Sequence, residues 1–467
     1  MFYRRKKKGF FYYLKRLICL FIAVYGIYFL YQQHSTFNAE KILAQSALKN
    51  KTFSAVVKEI DVGSLKAYLL EEHSNPIVSM NFEFENAGYA HDEEGKYGLA
   101  NLAIGLITEG AGEYDDKQLH DLLEENGIRI KFSVLRDGVS GYMITPKDNL
   151  KTAQHLLKQI IYSPRLPEEI LEIKKTQMLK ALEQQKENPG SELSLAFLEH
   201  TFANHPYARN PIGNAEDIES IKTDDIREYL LKSLAKQTLT IGIAGDITQE
   251  ESIALMRDVF DSLPEESAQI PLEKLDYTSN GEEFKLNREI PQVIAAFSSK
   301  GVFRSDKDFY ALYIANYILG GSGLTSRLNK VLREDNGLTY GISTTFSDNQ
   351  ACALIRGGFS VSAENYEKAK KLLLAEWQNM AQKGISEDEL NKTKKSLIDS
   401  YNLRFADIDN MSAMLVAMQR HNLGIDFLQK RNDYIKNVSL DEVNKAAALY
   451  LSALPNFVTI GPERKEN

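Results

Sequence analysis

The sequence predicts an α+β protein built from two similar domains, each a β-sheet covered by helices. The chain has 467 residues, too many for one ordinary hydrophobic core. Runs with the alternating pattern of strands and runs with the period of helices follow one another in the same order in both halves. Segments of the first half also match segments of the second half at nearly one spacing. A duplicated α+β domain accounts for all of these observations.

The N-terminus has the features of an export signal. Residues 4–8 read Arg-Arg-Lys-Lys-Lys, and an uncharged run, LICLFIAVYGIYFLY, occupies residues 17–31. Positive charge before such a run predicts a cytoplasmic N-terminus and an exported remainder. We predict that residues 17–31 anchor the chain in the inner membrane and that the rest lies in the periplasm, with a cleaved signal peptide as the alternative. Residues 1–35 are then the basic stretch and signal/anchor segment, and residues 36–51 a linker.

The first domain is predicted to span residues 52–263. Alternating runs predict its strands at residues 54–60, 65–70, 77–84, 128–134, 141–144 and 239–244. Apolar stripes at helical spacing predict its helices at residues 99–107, 117–126, 150–162, 167–185 and 224–234.

A linker at residues 264–281 and a second domain at residues 282–463 follow. The linker contains Pro264 and Pro271 and has no periodicity. The same two patterns predict strands in the second domain at residues 293–298, 341–347 and 352–360. They predict its helices at residues 309–319, 326–333, 364–382, 387–405 and 441–451.

Three collinear matches support the duplication. The segment from Leu166, LPEEILEIKKTQML, matches ISEDELNKTKKSLI from Ile385 at an offset of 219. IKTDDI matches VSLDEV at an offset of 217, and the closing strands around Gly245 and Gly461 match at an offset of 216. The two domains are therefore predicted to be homologous.

Five segments resemble a known peptidase family. They read YGLA (97–100), EGAG (109–112), HPY (205–207), GGSGLTSRL (320–328) and LREDNGLTY (332–340). They are similar to segments of the pitrilysin/insulinase (inverzincin) zinc peptidases, and the similarity runs from about residue 52 to residue 463. The resemblance implies a pair of homologous α/β-sandwich domains after the N-terminal signal/anchor helix.

The zinc motif of that family is missing from this chain. The resemblance places H-x-x-E-H directly after Gly-Leu-Ala, with two His as zinc ligands and the Glu as general base. The corresponding positions hold Asn101, Ile104 and Gly105, which can neither bind zinc in that way nor activate water. The third ligand, a Glu expected near residues 178–182, is also absent, although Glu183 lies close. We therefore predict a degenerate site that binds no metal.

The resemblance implies a second pair of functional residues in the second domain. In the family's non-catalytic domains an Arg and a Tyr seven residues later hold the substrate and polarise its scissile carbonyl. Arg333 and Tyr340 match this pair within LREDNGLTY. A guanidinium is a fixed fork of donors, and a phenol can donate to a developing oxyanion. Without the family context, Arg333 is simply a cation at a helix C-terminus and Tyr340 a strand residue.

Other polar clusters are poor candidates for a metal site. His91, Asp92, Glu93 and Glu94 fall in a predicted turn, where solvated or capping roles are common. Glu199, His200 and His205 are close in sequence, but the spacing of the two His puts them on different helical faces. The strand at residues 128–134 is expected, from the resemblance, to bind extended peptide by β-augmentation.

These observations predict a zinc-free subunit of a zinc metalloendopeptidase. It would bind peptide and supply Arg333 and Tyr340 to a homologous H-x-x-E-H subunit that carries the zinc, forming a heterodimer. The alternative is a non-catalytic periplasmic peptide-binding or scaffold protein, and an autonomous hydrolase with another active site is disfavoured by the loss of all three ligands. The net charge of −8 gives no support for nucleic-acid binding.

Overall fold

Two β-sheets with helices packed on them make up residues 56–401 and 407–464, the part of the chain that the computed structural model describes. The predicted α+β class is confirmed. The predicted anchor at residues 17–31 and linker at residues 36–51 lie outside the described residues. Within the described ranges, no helix is both long and apolar enough to cross a membrane.

The first sheet has six strands in the order β1-β2-β6-β3-β5-β4. β2 and β6 are parallel, and all other neighbours are antiparallel. β4 is therefore an edge strand that pairs only with β5. The strands are β1 (Lys58–Val62), β2 (Leu65–Glu71), β3 (Ile77–Glu85), β4 (Arg129–Val134), β5 (Gly138–Pro146) and β6 (Leu239–Gly245).

The second sheet repeats this topology with five strands in the order β7-β11-β8-β10-β9. β7 and β11 are parallel and the other pairs antiparallel, so the order and directions match β2-β6-β3-β5-β4. The strands are β7 (Glu283–Asn287), β8 (Gln292–Lys300), β9 (Ile342–Asp348), β10 (Ala353–Ser362) and β11 (Asn456–Gly461). Both sheets thus have the shared strand order that the predicted duplication requires, whereas the exact domain boundaries stay a prediction.

Between residue 56 and β7 the structure has eight α-helices. All five helices predicted for this part are present, and three further ones were not predicted, at 189–201, 215–220 and 249–260. The helices are α1 (Leu99–Leu106), α2 (Asp116–Glu125), α3 (Leu150–Tyr162), α4 (Glu168–Glu187), α5 (Pro189–Thr201), α6 (Ala215–Ser220), α7 (Thr223–Ser233) and α8 (Gln249–Phe260).

In the described residues after β8 there are seven α-helices. α9 (Phe309–Asn316) continues into a π-helical turn (Tyr317–Gly321), and α10 (Arg327–Asn329) continues into another (Lys330–Glu334). The remaining helices are α11 (Tyr366–Lys383), α12 (Glu387–Asp399), α13 (Ile408–Arg420), α14 (Phe427–Asn437) and α15 (Leu440–Tyr450). Short 3-10 turns lie at Tyr89–His91, Lys147–Asn149, Pro206–Ala208, Lys236–Thr238, Gly323–Thr325 and Ala363–Asn365.

Each sheet packs one face on a large hydrophobic core formed with helices of its own half. In β3, Met80, Phe82 and Phe84 point into the first core, as the alternation of a strand requires. In β8, Val293 and Phe297 point into the second core, which also holds the fully buried Trp377 of α11.

The opposite face of each sheet is covered by a helix from the other half of the chain. α5 belongs to the first half and packs on the second sheet, where Phe197 lies against Val458 and Ile460. α13 belongs to the second half and packs on the first sheet, where Leu415 joins a cluster with Leu70. The two helices begin 219 residues apart, the same offset as the strongest sequence match. This exchange of helices joins the halves into one unit.

Polar side chains line the face of β3 that α13 covers. Ser79 shares a hydrogen bond of 2.8 Å with Ser412. The Asn81 amide donates to the Asp409 carboxylate at 2.8 Å. The alternating pattern of β3 therefore reflects one apolar core and one polar helix contact rather than an exposed face.

The segment at residues 264–281 has neither helix nor strand, as a linker is expected to be. It is packed on the second sheet, because the Leu275 amide donates to the Ala351 carbonyl at 2.8 Å and the Tyr277 hydroxyl shares a 2.7 Å hydrogen bond with Ser298. It also contacts the first half, where the Lys236 amide donates to the Pro264 carbonyl at 2.9 Å.

Candidate functional site

Helix α1 carries the predicted degenerate zinc positions. Its N-terminal amides are capped by the side chain of Asp92, which precedes the helix in the chain. Gly98 precedes the helix with a φ of 105° and offers no side chain, so the Asp92 carboxylate accepts hydrogen bonds from the amides of Gly98 at 2.8 Å and Ala100 at 3.0 Å. Burial raises the pKa of Asp92 to about 7, against the opposing effect of these amides and of Arg209. The capping role expected for the 91–94 turn is therefore confirmed for Asp92.

Two of the three degenerate positions contribute to the packing of α1, and the third is a glycine without close neighbours. The Asn101 amide donates to the Pro211 carbonyl at 2.7 Å, which ties α1 to the loop before α6. Ile104 is 5% exposed and belongs to the first core. Gly105 has open space where a Cβ would stand. An amide already engaged, a buried alkyl chain and a glycine do not fit a zinc ion.

The stretch where the third ligand was expected is equally apolar. It lies in α4, whose Met178, Leu179 and Leu182 pack against the first core. Near the other end of α1, Lys174 of α4 pairs with Glu109 at 2.7 Å. Within the described ranges, no three His, Cys, Asp or Glu side chains are grouped so that they could hold a metal ion.

The other histidines considered in the sequence make structural contacts. His200 stacks on the ring of Phe284, with 3.5 Å between ring centres. His205 accepts a hydrogen bond from the Tyr207 amide at 3.1 Å through one ring nitrogen, and its other ring nitrogen lies 3.0 Å from the Glu273 carbonyl oxygen.

Arg333 lies in the π-helical turn after α10, and its side chain is exposed. Gly337 ends this helix with a φ of 61°, and its amide donates to the Arg333 carbonyl at 3.0 Å. The Leu338 amide donates to the Leu332 carbonyl at 2.8 Å and closes the turn. Gly337 thus turns the chain between Arg333 and Tyr340.

Tyr340 lies two residues before the start of β9 and is 92% exposed. Its neighbour Thr339 is buried and its hydroxyl donates to the Gly341 carbonyl at 3.0 Å. Among the residues of the described part, neither the Tyr340 hydroxyl nor the Arg333 guanidinium has a hydrogen-bond or ion-pair partner. The structure brings both residues to one exposed loop but does not join them to α1.

Asn329 fixes this loop to the sheet. It is 2% exposed, and its amide group donates to the Ile342 carbonyl at 2.5 Å while its oxygen accepts from the Ile342 amide at 3.2 Å. A buried side chain thus clamps both backbone groups of the first residue of β9. The sequence gives no signal for this clamp, since a lone Asn in a helix is common.

Two sequence profiles cover most of the described chain. The profile described as Insulinase (Peptidase family M16) matches residues 69–215, and the profile described as Peptidase M16 inactive domain matches residues 220–397. The chain belongs to the insulinase peptidase family, M16. The family predicted from the sequence is confirmed, and the chain is an M16 peptidase-like protein whose zinc positions lack the His and Glu ligands.

Similar proteins include one described as a non-peptidase homologue and others described as zinc proteases. The chain is 25% identical over 389 residues to the non-peptidase homologue YmxG of Helicobacter pylori, covering 83% of this chain and 89% of that protein. It is 22% identical over 320 residues to an uncharacterized zinc protease of Mycobacterium leprae, covering 67% and 71%. Its fold is similar to a crystal structure of a peptidase M16 inactive domain from Pseudomonas fluorescens, with a TM-score of 0.81, 24% identity and coverage of 88% and 99%.

In this M16 protein, the strand expected to bind peptide and the strand that follows Tyr340 are both edge strands of their sheets. β4, where peptide binding by β-augmentation was expected, forms one edge of the first sheet. β9, which begins two residues after Tyr340, forms the corresponding edge of the second sheet. An edge strand presents unpaired backbone donors and acceptors to an added strand.

The M16 fold of this chain also encloses a cavity of about 690 Å³ between its two halves. Glu85, Asn86 and Arg136 line it from the first half, and Arg304, Gln350 and His421 from the second. Sequence analysis did not identify these residues. The one local signal is the pair Glu85-Asn86 at the end of a strand, where Asn86 adopts a φ of 61°.

Proposed function

We propose that this chain is an exported, zinc-free M16 subunit that holds an extended peptide and supplies Arg333 and Tyr340 to a zinc-bearing partner. The observation that carries the proposal is the contrast between its two candidate sites. The predicted zinc positions hold an engaged amide, a buried alkyl chain and a glycine, while Arg333 and Tyr340 are exposed without partners in the described part, on a loop that Asn329 holds to the sheet. A loop fixed in this way is suited to act on a group outside its own chain.

The chemistry of the pair suits a peptide bond that another subunit cleaves. The Arg333 guanidinium can donate to a substrate carbonyl, and the Tyr340 hydroxyl can donate to the oxyanion that develops during attack by water. No step is assigned to a metal in this chain, because Asn101, Ile104 and Gly105 do not fit one. In this proposal the zinc belongs to a homologous H-x-x-E-H subunit, and the two subunits form a heterodimer.

The edge strands β4 and β9 support the peptide-holding part of the proposal. A peptide added to either edge gains main-chain hydrogen bonds that need no particular side chain. The basic residues at 4–8 and the apolar run at 17–31 support export and anchoring at the periplasmic side of the inner membrane.

The test is peptide turnover by a zinc-bearing M16 relative from the same organism, with and without this chain. If this chain acts as a subunit of the relative, light scattering should show a stable complex, and peptide turnover by the relative should rise. A protein that binds peptide but neither assembles with the relative nor raises its turnover would instead be a peptide-capture or scaffold protein.

A further inference from the structure

The cavity between the two halves contains a carboxylate, Glu85, that forms no ion pair among the described residues. The other acidic groups that line it have partners: Glu83 pairs with Arg420 at 3.2 Å, Asp137 accepts from the Gln350 backbone amide at 3.1 Å, and Asp348 accepts from the Arg304 backbone amide at 3.0 Å. Burial, and then the neighbouring Glu83, raise the pKa of Glu85, against the opposing effects of Arg420 and of the Gln350 side chain.

Two buried acceptors lie beside this carboxylate. Asn86 is 7% exposed, and its side-chain oxygen has no hydrogen-bond partner. The side-chain oxygen of Gln350 is also buried without a partner. A buried acceptor without a donor is costly, which indicates that a donor outside the chain occupies this position.

Cations without carboxylate partners stand elsewhere on the cavity wall. The Arg304 guanidinium lies on aromatic rings, 4.3 Å from the centre of Phe309, and has no ion pair among the described residues. Lys274, at the exposed rim, has its ammonium 4.9 Å from the centre of the Phe303 ring and likewise has no ion pair in the described part. Arg136 also lines the cavity, where its guanidinium donates to the Tyr89 hydroxyl at 2.9 Å and lies 4.9 Å from the centre of the Tyr207 ring. The imidazole of His421 does not add a cation, because burial and then Arg420 and Arg304 lower its pKa to about 4.

We propose that this cavity binds a short peptide by its free ends, with the ammonium held by Glu85, Asn86 and Gln350 and the carboxylate by Arg304 and Lys274. An ammonium has three donors, which matches one carboxylate and two amide oxygens. A guanidinium and a second cation suit a carboxylate. The volume of about 690 Å³ is in the range of sites for peptide-sized ligands and exceeds the need of a single amino acid. This site is separate from Arg333 and Tyr340, and it needs no partner subunit.

The experiment is isothermal titration calorimetry of the full chain in detergent with tetra-alanine, N-acetyl tetra-alanine, tetra-alanine amide and alanine. Tetra-alanine is expected to bind with a Kd below about 1 mM. Acetylation, which removes the ammonium, is expected to weaken binding at least about tenfold, and amidation, which removes the carboxylate, about threefold or more. The acetylation arm needs no variant, so it does not depend on how a variant folds.

Two variants and one control localise the site. Glu85→Gln keeps the shape of the side chain and is expected to weaken tetra-alanine at least about tenfold, and Lys274→Gln at the exposed rim about threefold. Glu94→Gln removes an exposed carboxylate elsewhere and should leave the affinity unchanged. Absence of binding, equal binding of the acetylated peptide, or alanine binding as tightly as tetra-alanine would overturn the proposal.

Discussion

Arg333 and Tyr340 are the side chains on which the proposed function depends. Both are exposed, and both sit on a loop whose ends are fixed by Asn329 and by the left-handed Gly337. An exposed residue on a mobile loop loses much of its binding energy to ordering, whereas a residue on a fixed loop does not. The arrangement is therefore what a donor aimed at an external substrate requires.

Replacing these side chains should reduce turnover without affecting assembly. Arg333→Ala or Tyr340→Phe in the mixed complex is expected to lower the turnover of the zinc-bearing partner about 10²–10³-fold, the usual loss for an oxyanion donor. The measurement is steady-state peptide cleavage, together with light scattering to show that the complex still forms.

A matched control for the guanidinium is Arg356→Ala, since Arg356 is an exposed arginine on β10 of the same sheet. It should leave turnover unchanged. If Arg333→Ala and Tyr340→Phe both behave like this control, the assigned role is wrong.

Arg327 holds the helix that leads to Arg333. Its guanidinium donates to Glu389 at 2.7 and 2.9 Å and to the Gly384 carbonyl at 3.1 Å. The hydrogen bond from Arg327 lowers the pKa of Glu389 to about 2. Because the pKa is lower in the folded chain, this pair stabilises the fold above about pH 4.5, and the contribution is lost as the pH falls from there toward 2.

Glu389→Gln should therefore destabilise the protein at neutral pH and much less in acid. Gln also serves in the capping box of α12, so the change isolates the charge. With allowance for solvent screening, we expect a loss of about 1–2 kcal/mol in the free energy of unfolding at pH 7, measured in urea, and a smaller difference at about pH 3.5.

The control for this prediction is Asp388→Asn in the same helical turn, which removes an exposed pair with Lys392. This change should lower the free energy of unfolding by less than about 0.5 kcal/mol. A loss in Glu389→Gln that stays constant between the two pH values would contradict the assigned pKa.

At the scale of residues, the spacing of sequence motifs predicted candidate site residues, whereas contacts between distant residues could not be predicted. The order of Asn101, Ile104 and Gly105 after Gly-Leu-Ala predicts the degenerate zinc positions, and this assignment stays a prediction. The cap by Asp92 was only one of several uses open to the 91–94 turn. The clamp by Asn329 and the cavity around Glu85 arise from contacts between distant segments, which no local pattern encodes.

Helices α5 and α13 are the elements that unite the two halves. Each covers the sheet of the other half, and the approach of α13 is close. A Cβ at Gly242 in β6 would lie 2.2 Å from the Ser412 carbonyl oxygen and 2.8 Å from the Leu415 Cβ. Only a glycine lets the backbone of α13 lie this near to the sheet.

Gly242→Ala is expected to push α13 away from the first sheet. Since backbone rather than a flexible side chain obstructs the new methyl group, the cost should be that of an overpacked core, about 1–3 kcal/mol. Urea denaturation at pH 7 measures it.

Gly105→Ala provides the comparison, because a Cβ there meets nothing within 4 Å and the residue lies inside α1. It should leave stability unchanged or raise it by about 0.5–1 kcal/mol. Equal stability of the two variants would show that α13 does not pack on β6 as described.

Most helices and strands could be predicted because their apolar residues recur with a strong helical or strand period. The elements that were missed lack a clear period or depend on contacts with the other half of the chain. The predicted bounds of the helix at 150–162 are those observed. β7 was missed because its short alternating run, EFKLN, carries charges and lies at a sheet edge. α5 and α13 were missed because each is apolar on the side that meets a sheet from the other half, a context that the local sequence does not reveal.

At the scale of the whole molecule, the exchanged helices make one unit out of a duplicated fold. Two sheets of matching topology leave β4 and β9 as corresponding edges, and neither half contains the zinc ligands of the M16 family. A chain with this architecture has two edge strands to which a peptide could add, but it lacks the His and Glu residues that would activate water. The proposal of a zinc-bearing partner follows from this combination.

The most direct test of that central claim is zinc content and peptide cleavage of the purified full chain, alone and mixed with a zinc-bearing M16 relative of the same organism. We predict that the chain alone contains no zinc and cleaves no peptide, and that it raises the turnover of the relative. Stoichiometric zinc or cleavage by the chain alone would contradict the account, because Asn101, Ile104 and Gly105 could then not mark the lost metal site.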